Sequence, residues 1–361
     1  MKVIRSRNVN EAFYEGMHLL EDSGIIKDSR GGTVAEVPFP VITVTAYPTE
    51  RVLFDQKRDA NPFFHLMEGL WMLAGRNDAD FLNRYVSDFG KRFAESDGMI
   101  HDAYGARWRH KLGEDQLDVI IKKLQSNPND RQCVLQMWDV RYISNVTDEG
   151  CNDLMGDWKG RPCNTHIYFR TNKLIRPEDY PDESKAYHIL DMTICCRSND
   201  AVWGAHGANA VHFSMLQEYM AAMLGYEVGT MYQLSNNYHG YLTELKRIGE
   251  AIELQCYDPY VDGDVKPMPM ITDVEHWDED LEHFMYWHDT ILPDEKVGGD
   301  MLAPLSRIVR NQWFVSVAGR MALVHWQWKH NAKTAAMAGA EMIAAPDWRL
   351  ACIQWIQRRQ K

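Results

Sequence analysis

Three strand-like runs crowd the middle of the chain: RQCVLQMWDV at 131–140, then THIYFRTN, then HILDMTICCRSN. The polar stretch LIRPEDYPDESKAY between the last two reads as a surface loop. After a Gly-rich turn comes ANAVHFSMLQEYMAAMLG, in which Val211, Met215, Tyr219 and Met223 fall on one helical face and Gly225 suits the residue past the end. Strands gathered in the centre with helices on both sides predict a mixed α+β fold.

The flanks agree. Residues 9–24 have a helical pattern, 28–37 (DSRGGTVAEV) read as a turn-rich basic loop, and FPVITVTAYP alternates like a strand. NPFFHLMEGLWMLAGRNDADFLNRY opens on Asn-Pro, a good helix start, and 115–125 form another amphipathic helix. GTMYQLSNNYHGY is strand-like, and beyond Thr243 the chain is helical and aromatic with a Pro- and Asp-rich middle at 257–297. No internal repeat or clear linker interrupts it.

Composition narrows the function. At 45% hydrophobic and 25% charged, the 361 residues support a sizeable core. A formal net charge of −12 excludes a generic grip on nucleic-acid backbone, so an anionic ligand has to be held by a few placed arginines. Seven cysteines, an odd number without CxxC spacing, predict a reduced, cytoplasmic protein with no zinc site. No apolar run approaches the roughly 20 residues that span a bilayer.

One cysteine stands apart. In GRPCNTHIYFR, Cys163 follows a proline, with Arg161 two residues before it, while the next strand ends in Arg197, Ser198 and Asp200. Positive charge there favours a thiolate and also suits a phosphate; the plain alternative is a packed core cysteine beside solvated arginines.

The order of several segments resembles the thymidylate synthase family, including its phage and biosynthetic pyrimidine nucleotide hydroxymethylases. PCN resembles the family's nucleophile stretch, RSND its Arg-Ser-x-Asp, GAN the asparagine that opens a long helix, and HGY its His-x-Tyr. Asn209, Gly229 and His239 stand 20 and 10 residues apart, as in the family. Upstream, MEGLWMLAGRND resembles the Glu-x-x-Trp helix, AYGARW the Tyr-Gly-x-x-Trp segment, and NPNDRQCVLQMWD a Pro-Asp-Ser-Arg-Arg strand. The likeness runs over about residues 10–245. It implies a central mixed β-sheet flanked by helices: a catalytic core at 1–245 and a mainly helical C-terminal extension at 246–361 packed on it.

The resemblance also assigns roles. Cys163 is expected to attack carbon 6 of a pyrimidine nucleoside monophosphate, making carbon 5 able to take a one-carbon unit from 5,10-methylenetetrahydrofolate. Glu68 is expected to organise water and protons around the ring, with Tyr104 and Asn209 completing the catalytic set. Arg30, Arg197 and Ser198 are placed on the 5′-phosphate, His239 and Tyr241 on the sugar 3′-hydroxyl, and Asp200 and Trp108 on the folate. In the family an Arg-Arg pair reaches the other subunit's phosphate; here it is Arg131 followed by Gln132, which implies a homodimer with an altered phosphate pocket.

Two questions remain for the residues themselves. The Asn209 amide offers a donor and an acceptor to uracil's imide edge, which favours dUMP over dCMP or CMP. The loop WGAHGAN is one residue longer than the family's, leaving His206 or Ala208 as alternatives for facing the base, and Asn209 as a plain helix cap. For the product, no tryptophan lies between Trp71 and Trp108, the counterpart of the family's shielding tryptophan falling near Phe89 or Gly90. Asn164 replaces the usual histidine after the cysteine, and the chain ends in the basic IQRRQK. All three departures favour water over hydride as the final reactant: a hydroxymethylase, with methyl transfer to dUMP as the alternative and a catalytically silent nucleotide binder as the reading from another class.

Overall fold

The structure of the protein, a computed structural model, describes residues 1–140, 152–249, 257–294 and 301–360; Cys151 and Cys256 fall outside them. Among these residues the strands are β1 (Lys2–Ser6), β2 (Ile25–Ser29), β3 (Gly32–Glu36), β4 (Val41–Thr45), β5 (Val134–Gln136), β6 (Asn164–Leu174), β7 (Tyr187–Cys196), β8 (Asn199–Asp200), β9 (Glu227–Ser235) and β10 (Tyr238–Tyr241). They form a six-stranded sheet in the order β1-β4-β9-β7-β6-β5 and a four-stranded sheet in the order β2-β3-β10-β8. The large sheet is mixed: β1 with β4 and β7 with β9 are parallel, and the other pairs are antiparallel.

Strict alternation along β7 buries Leu190, Met192, Ile194 and Cys196 on one face. Against the sheet lies helix Asn209–Leu224, buried nearly all round and ended by Gly225 in the left-handed region (φ 70°). Buried Gln217 donates from Nε2 to the carbonyls of Leu190 (2.8 Å) and Gly229 (3.2 Å), beside the irregularity in the β7–β9 pairing. The helix is thereby fixed in register on the sheet, and its first residue, Asn209, is fixed with it.

Three sequence expectations change, the first being the buried strand expected at 131–140, which is only β5, Val134–Gln136, with Leu135 buried between exposed neighbours. Residues 28–37 are not a loop but the tip of the β2–β3 hairpin, closed by the two-residue turn Arg30-Gly31 with Gly32 at φ 127°. Every residue of β2 is exposed, so no apolar alternation marked it as a strand. GTMYQLSNNYHGY is not one strand: it breaks at Asn236-Asn237, where Asn236 N–H donates to Cys196 O and Asn199 N–H to Asn237 O, sending β9 and β10 into different sheets.

The C-terminal helices Trp277–Tyr286, Arg320–Lys329 and Pro346–Gln360 share one apolar core with the residues around helix Pro62–Leu73. Trp355 meets Phe63 edge-on at 5.3 Å. Among the described residues no helix is long and apolar enough to cross a membrane.

Candidate active site

A cleft of about 690 Å³ opens between helix Pro62–Leu73, the start of helix Asn209–Leu224, and the mouths of β6 and β7. Cys163, Glu68, Asn209, Tyr104, Ser198 and Asp200 all line it.

Cys163 sits immediately before β6, whose pairing with β7 shifts register between Asn164 and His166. Asn164 holds that irregularity, donating from Nδ2 to the carbonyls of His166 (3.2 Å) and Cys195 (3.0 Å). It is fully buried and braces the backbone behind the thiol. Arg197 wraps the same turn: Nε donates to Pro162 O (3.0 Å), Nη2 to Arg161 O (2.9 Å), and its backbone N–H to Cys163 O. Burial pushes the Cys163 thiol up; the Arg197 guanidinium opposes this, Asp102 and Asp200 add to it, and Arg30 pulls it down. Both arginines therefore act on the sulfur.

Helix Pro62–Leu73 starts cleanly, with Asn61 Oδ1 accepting from Phe64 N–H and Pro62 in the first position. Glu68, in its middle, turns into the cleft with Oε2 at 2.9 Å from His212 Nε2. His65, one turn earlier, also lines the cleft; burial holds its imidazole well below the usual range, with the Arg58 charge adding to this.

Asn209 donates from Nδ2 to Asn199 Oδ1 at 3.1 Å, and Asn199 is itself anchored on Ser235 Oγ (3.0 Å). One amide hydrogen and the carbonyl of Asn209 remain for a ring edge. The longer loop is accommodated by a π-helical stretch, Ala201–Ala208. It turns His206 away from the cleft into a buried hydrogen bond with Tyr238 Oη (2.7 Å), while Ala208 stays at the wall beside Asn209.

Asp200 caps that stretch, its Oδ1 accepting from the N–H groups of Val202 (2.8 Å) and Trp203 (2.5 Å), while its buried Oδ2 has no partner among the described residues. Burial raises its carboxyl. Tyr104 stacks on Phe213 at 5.9 Å and accepts from Asn164 N–H at 3.4 Å; burial pushes its phenol far up, so it stays a neutral hydroxyl.

The small sheet gathers most of the other expected residues. His239 and Tyr241 share one face of β10, their rings 5.6 Å apart, and His239 pairs in register with Asp200. The Arg30-Gly31 turn crosses Tyr241 so closely that a Cβ on Gly31 would fall within van der Waals radii of the hydroxyl.

Of the expected residues, Arg30, Arg197, His239, Tyr241, Trp108 and Arg131 are not on the lining of this cleft. Trp108 is wholly buried, donating from Nε1 to Met137 Sδ (3.1 Å), and is packed in the core rather than placed on the cleft wall. Arg131 is exposed and outside this chain's cleft.

Further residues complete the wall. Phe89, marked as the tryptophan counterpart, does reach the cleft, where it packs against Phe64 (5.6 Å) and Phe93 (4.7 Å). Arg58 is buried with Nη2 unpartnered among the described residues and stacks 4.4 Å over Trp203. Arg359, from the C-terminal helix, lines the cleft too; with Arg358 it pairs with Asp59, whose backbone is left-handed (φ 48°). His212, three residues after Asn209, could have been found as the next inward position of an apolar helix.

Comparison with known proteins bears on what this cleft does. The family model for thymidylate synthase matches residues 56–291. A deoxyuridylate hydroxymethyltransferase of Pseudomonas phage M6 is 39% identical, over the whole of this chain and 95% of its own length. A deoxyuridylate hydroxymethyltransferase of Bacillus phage SP01 is 30% identical over 72% of this chain and 62% of the relative. A putative thymidylate synthase of Methanosarcina barkeri (strain Fusaro / DSM 804) is 24% identical over 66% of this chain and 89% of the relative.

Proposed function

Because the chain belongs to the thymidylate synthase family, we propose that it converts dUMP to 5-hydroxymethyl-dUMP with 5,10-methylenetetrahydrofolate. The observation that carries this reading is the meeting of Cys163, Glu68 and Asn209 in one cleft. The naming of the phage M6 relative, similar over the whole of this chain and 95% of its own length, supports the substrate and the product.

The cleft fits the folate. Phe64, Trp71, Phe89 and Phe93 offer flat apolar surface, Asp200 Oδ2 is a free acceptor for ring N–H groups, and Arg58, Arg92, Arg247 and Arg359 supply charge for a carboxylate tail. When bound, the folate supplies the one-carbon unit at the oxidation level of formaldehyde. Everything else falls to the chain. Cys163 adds through sulfur to carbon 6 of the ring, Asn209 holds the imide edge, and Glu68 receives protons from carbon 5 and from water. Tyr104 supports the turn that carries the thiol. Arg30, Arg197 and Ser198 take the 5′-phosphate, and His239 with Tyr241 takes the 3′-hydroxyl. In a cytoplasmic homodimer, Arg131 reaches the partner subunit's phosphate, which gives its exposed position a purpose. Residues 246–361 belong to the same enzyme as a helical extension that closes one wall of the cleft through Arg359.

Methylation is the second reading, favoured by the apolar wall of Phe64, Phe89 and Phe93, which can exclude water. Incubation with dUMP and methylenetetrahydrofolate separates the two. A hydroxymethyl product by mass, without dihydrofolate absorbance, is expected; a methyl product with dihydrofolate supports the second reading.

A further inference from the structure

A histidine buried without hydrogen bonds is costly, so a fold keeps one only where something else demands it. His212 is such a residue: 2% exposed, with neither ring nitrogen hydrogen-bonded among the described residues. Its Nε2 lies 2.9 Å from Glu68 Oε2, which also lacks a hydrogen-bond partner there. The approach is close enough for a proton to be shared after a small turn of either side chain. The ring nitrogens are enclosed, so His212 reaches the contents of the cleft through Glu68. As a mere core filler it would be a poor choice, since an apolar side chain there would strand no polar atom.

We propose that His212 is the positioning residue that equips Glu68 to deprotonate the water ending the reaction. This rests on the hydroxymethylation reading and says which group performs its distinguishing step. The water oxygen forms a bond to the methylene carbon carried on carbon 5 of the nucleotide. The π-pair of that double bond moves into an enolate over carbon 5 and the carbon 4 carbonyl, and the water proton goes to Glu68. Collapse of the enolate restores the carbon 5–carbon 6 double bond and expels the Cys163 sulfur with its bonding pair. His212 Nε2 shares the proton with Glu68 until product leaves. A carboxylate alone is a weak base toward water, and a neighbouring imidazole corrects that.

The test compares the unaltered protein with His212→Ala and with His212→Gln, which keeps polarity but cannot accept the proton. In both variants kcat for hydroxymethyl product is expected to fall at least about tenfold while KM for dUMP stays within about twofold. Two further readouts isolate the step. Thiol-dependent debromination of 5-bromo-dUMP, which requires Cys163 but neither folate nor water quench, stays within about twofold. Added 2-mercaptoethanol, a nucleophile needing no such base, diverts the variants to a thioether product identified by mass. Unchanged hydroxymethylation in both variants overturns the proposal. So does an equal loss of debromination and hydroxymethylation without thioether, since His212 would then serve architecture alone. A methyl product from the unaltered protein overturns the underlying reading, and this inference with it.

Discussion

The His101–Asp153 and His212–Glu68 pairs, both with a buried histidine, end up in opposite states. In the first, Asp153 accepts from Arg107 Nη1 (2.7 Å) and Nη2 (2.9 Å), lies 2.8 Å from His101 Nε2, and accepts Asp139 N–H at 2.8 Å. Arg107 also binds the carbonyls of Met137 (2.6 Å) and His101 (3.0 Å), and Trp158 stacks on the imidazole at 3.9 Å. Among the described residues, Arg107 Nε alone in this cluster is left without a partner. In the second, Glu68 and His212 face each other with hydrogen-bonding capacity unspent, at the wall of a large cleft. The same residue types thus do different work: a closed network fixes the chain, and an open one waits for a ligand.

That contrast can be broken most forcefully at the thiol the open cluster serves. Cys163→Ala is expected to cut kcat by at least about 10⁴-fold without shifting the unfolding midpoint. Residual product near the unaltered rate, measured by mass, would remove the mechanism. Glu68→Gln comes next, with kcat lower by about 10²–10⁴-fold and stability little changed. Asp153→Ala should do the reverse. The buried Arg107 guanidinium loses its counter-charge and His101 its hydrogen-bond partner, so denaturant unfolding is expected to show a loss of about 3–5 kcal/mol, while the folded fraction retains the nucleophile and its turn. If instead this variant kept its stability, the distinction between closed and open clusters would fail.

Smaller effects sharpen the picture. Asn209→Asp replaces an imide-complementary amide with a carboxylate, and the ratio of kcat/KM for dUMP over dCMP is expected to fall by about 10–100-fold. The smallest effect is in pH. Burial alone would raise the Asp153 carboxyl, but hydrogen bonds from His101 and Arg107 hold it at about 2. A folded pKa below the ordinary value, about 3.9, contributes stability at pH values above that ordinary value and loses it as pH falls toward 2. Acid titrations of unfolding should therefore show a component between about pH 4 and 2 that is missing from the Asp153→Ala protein.

The sequence disclosed the parts of the fold whose burial is periodic. The alternation in 188–196 and the helical repeat of Val211, Met215 and Tyr219 both appear in the structure because each element buries a face against the other. It hid β2, whose exposed side chains leave no pattern, and the break at Asn236-Asn237, which is made by backbone bonds to Cys196 and Asn199 from far along the chain. Cleft residues near a motif were legible: Cys163, Glu68, Ser198, Asp200 and Asn209 all reach the wall. Trp108 shows the limit of that reasoning, for its motif partner Tyr104 lines the cleft while its own ring, one helical turn on, points into the core. Arg58 and Arg359 were illegible because what marks them is an unspent donor or a contact with a distant segment, and neither is a property of local sequence.

The ion pairs between Asp59 and Arg358 and Arg359 join positions about 300 residues apart, and β4 aligns Val41 with Ser235. Contacts of such span close only after much of the chain entropy has been surrendered, so folding should be slow, and its last step should be the one that seals the wall behind helix Pro62–Leu73. A refolding chain would then recover its native circular dichroism before it recovers catalysis, and the lag between the two signals would time the docking of the C-terminal helix.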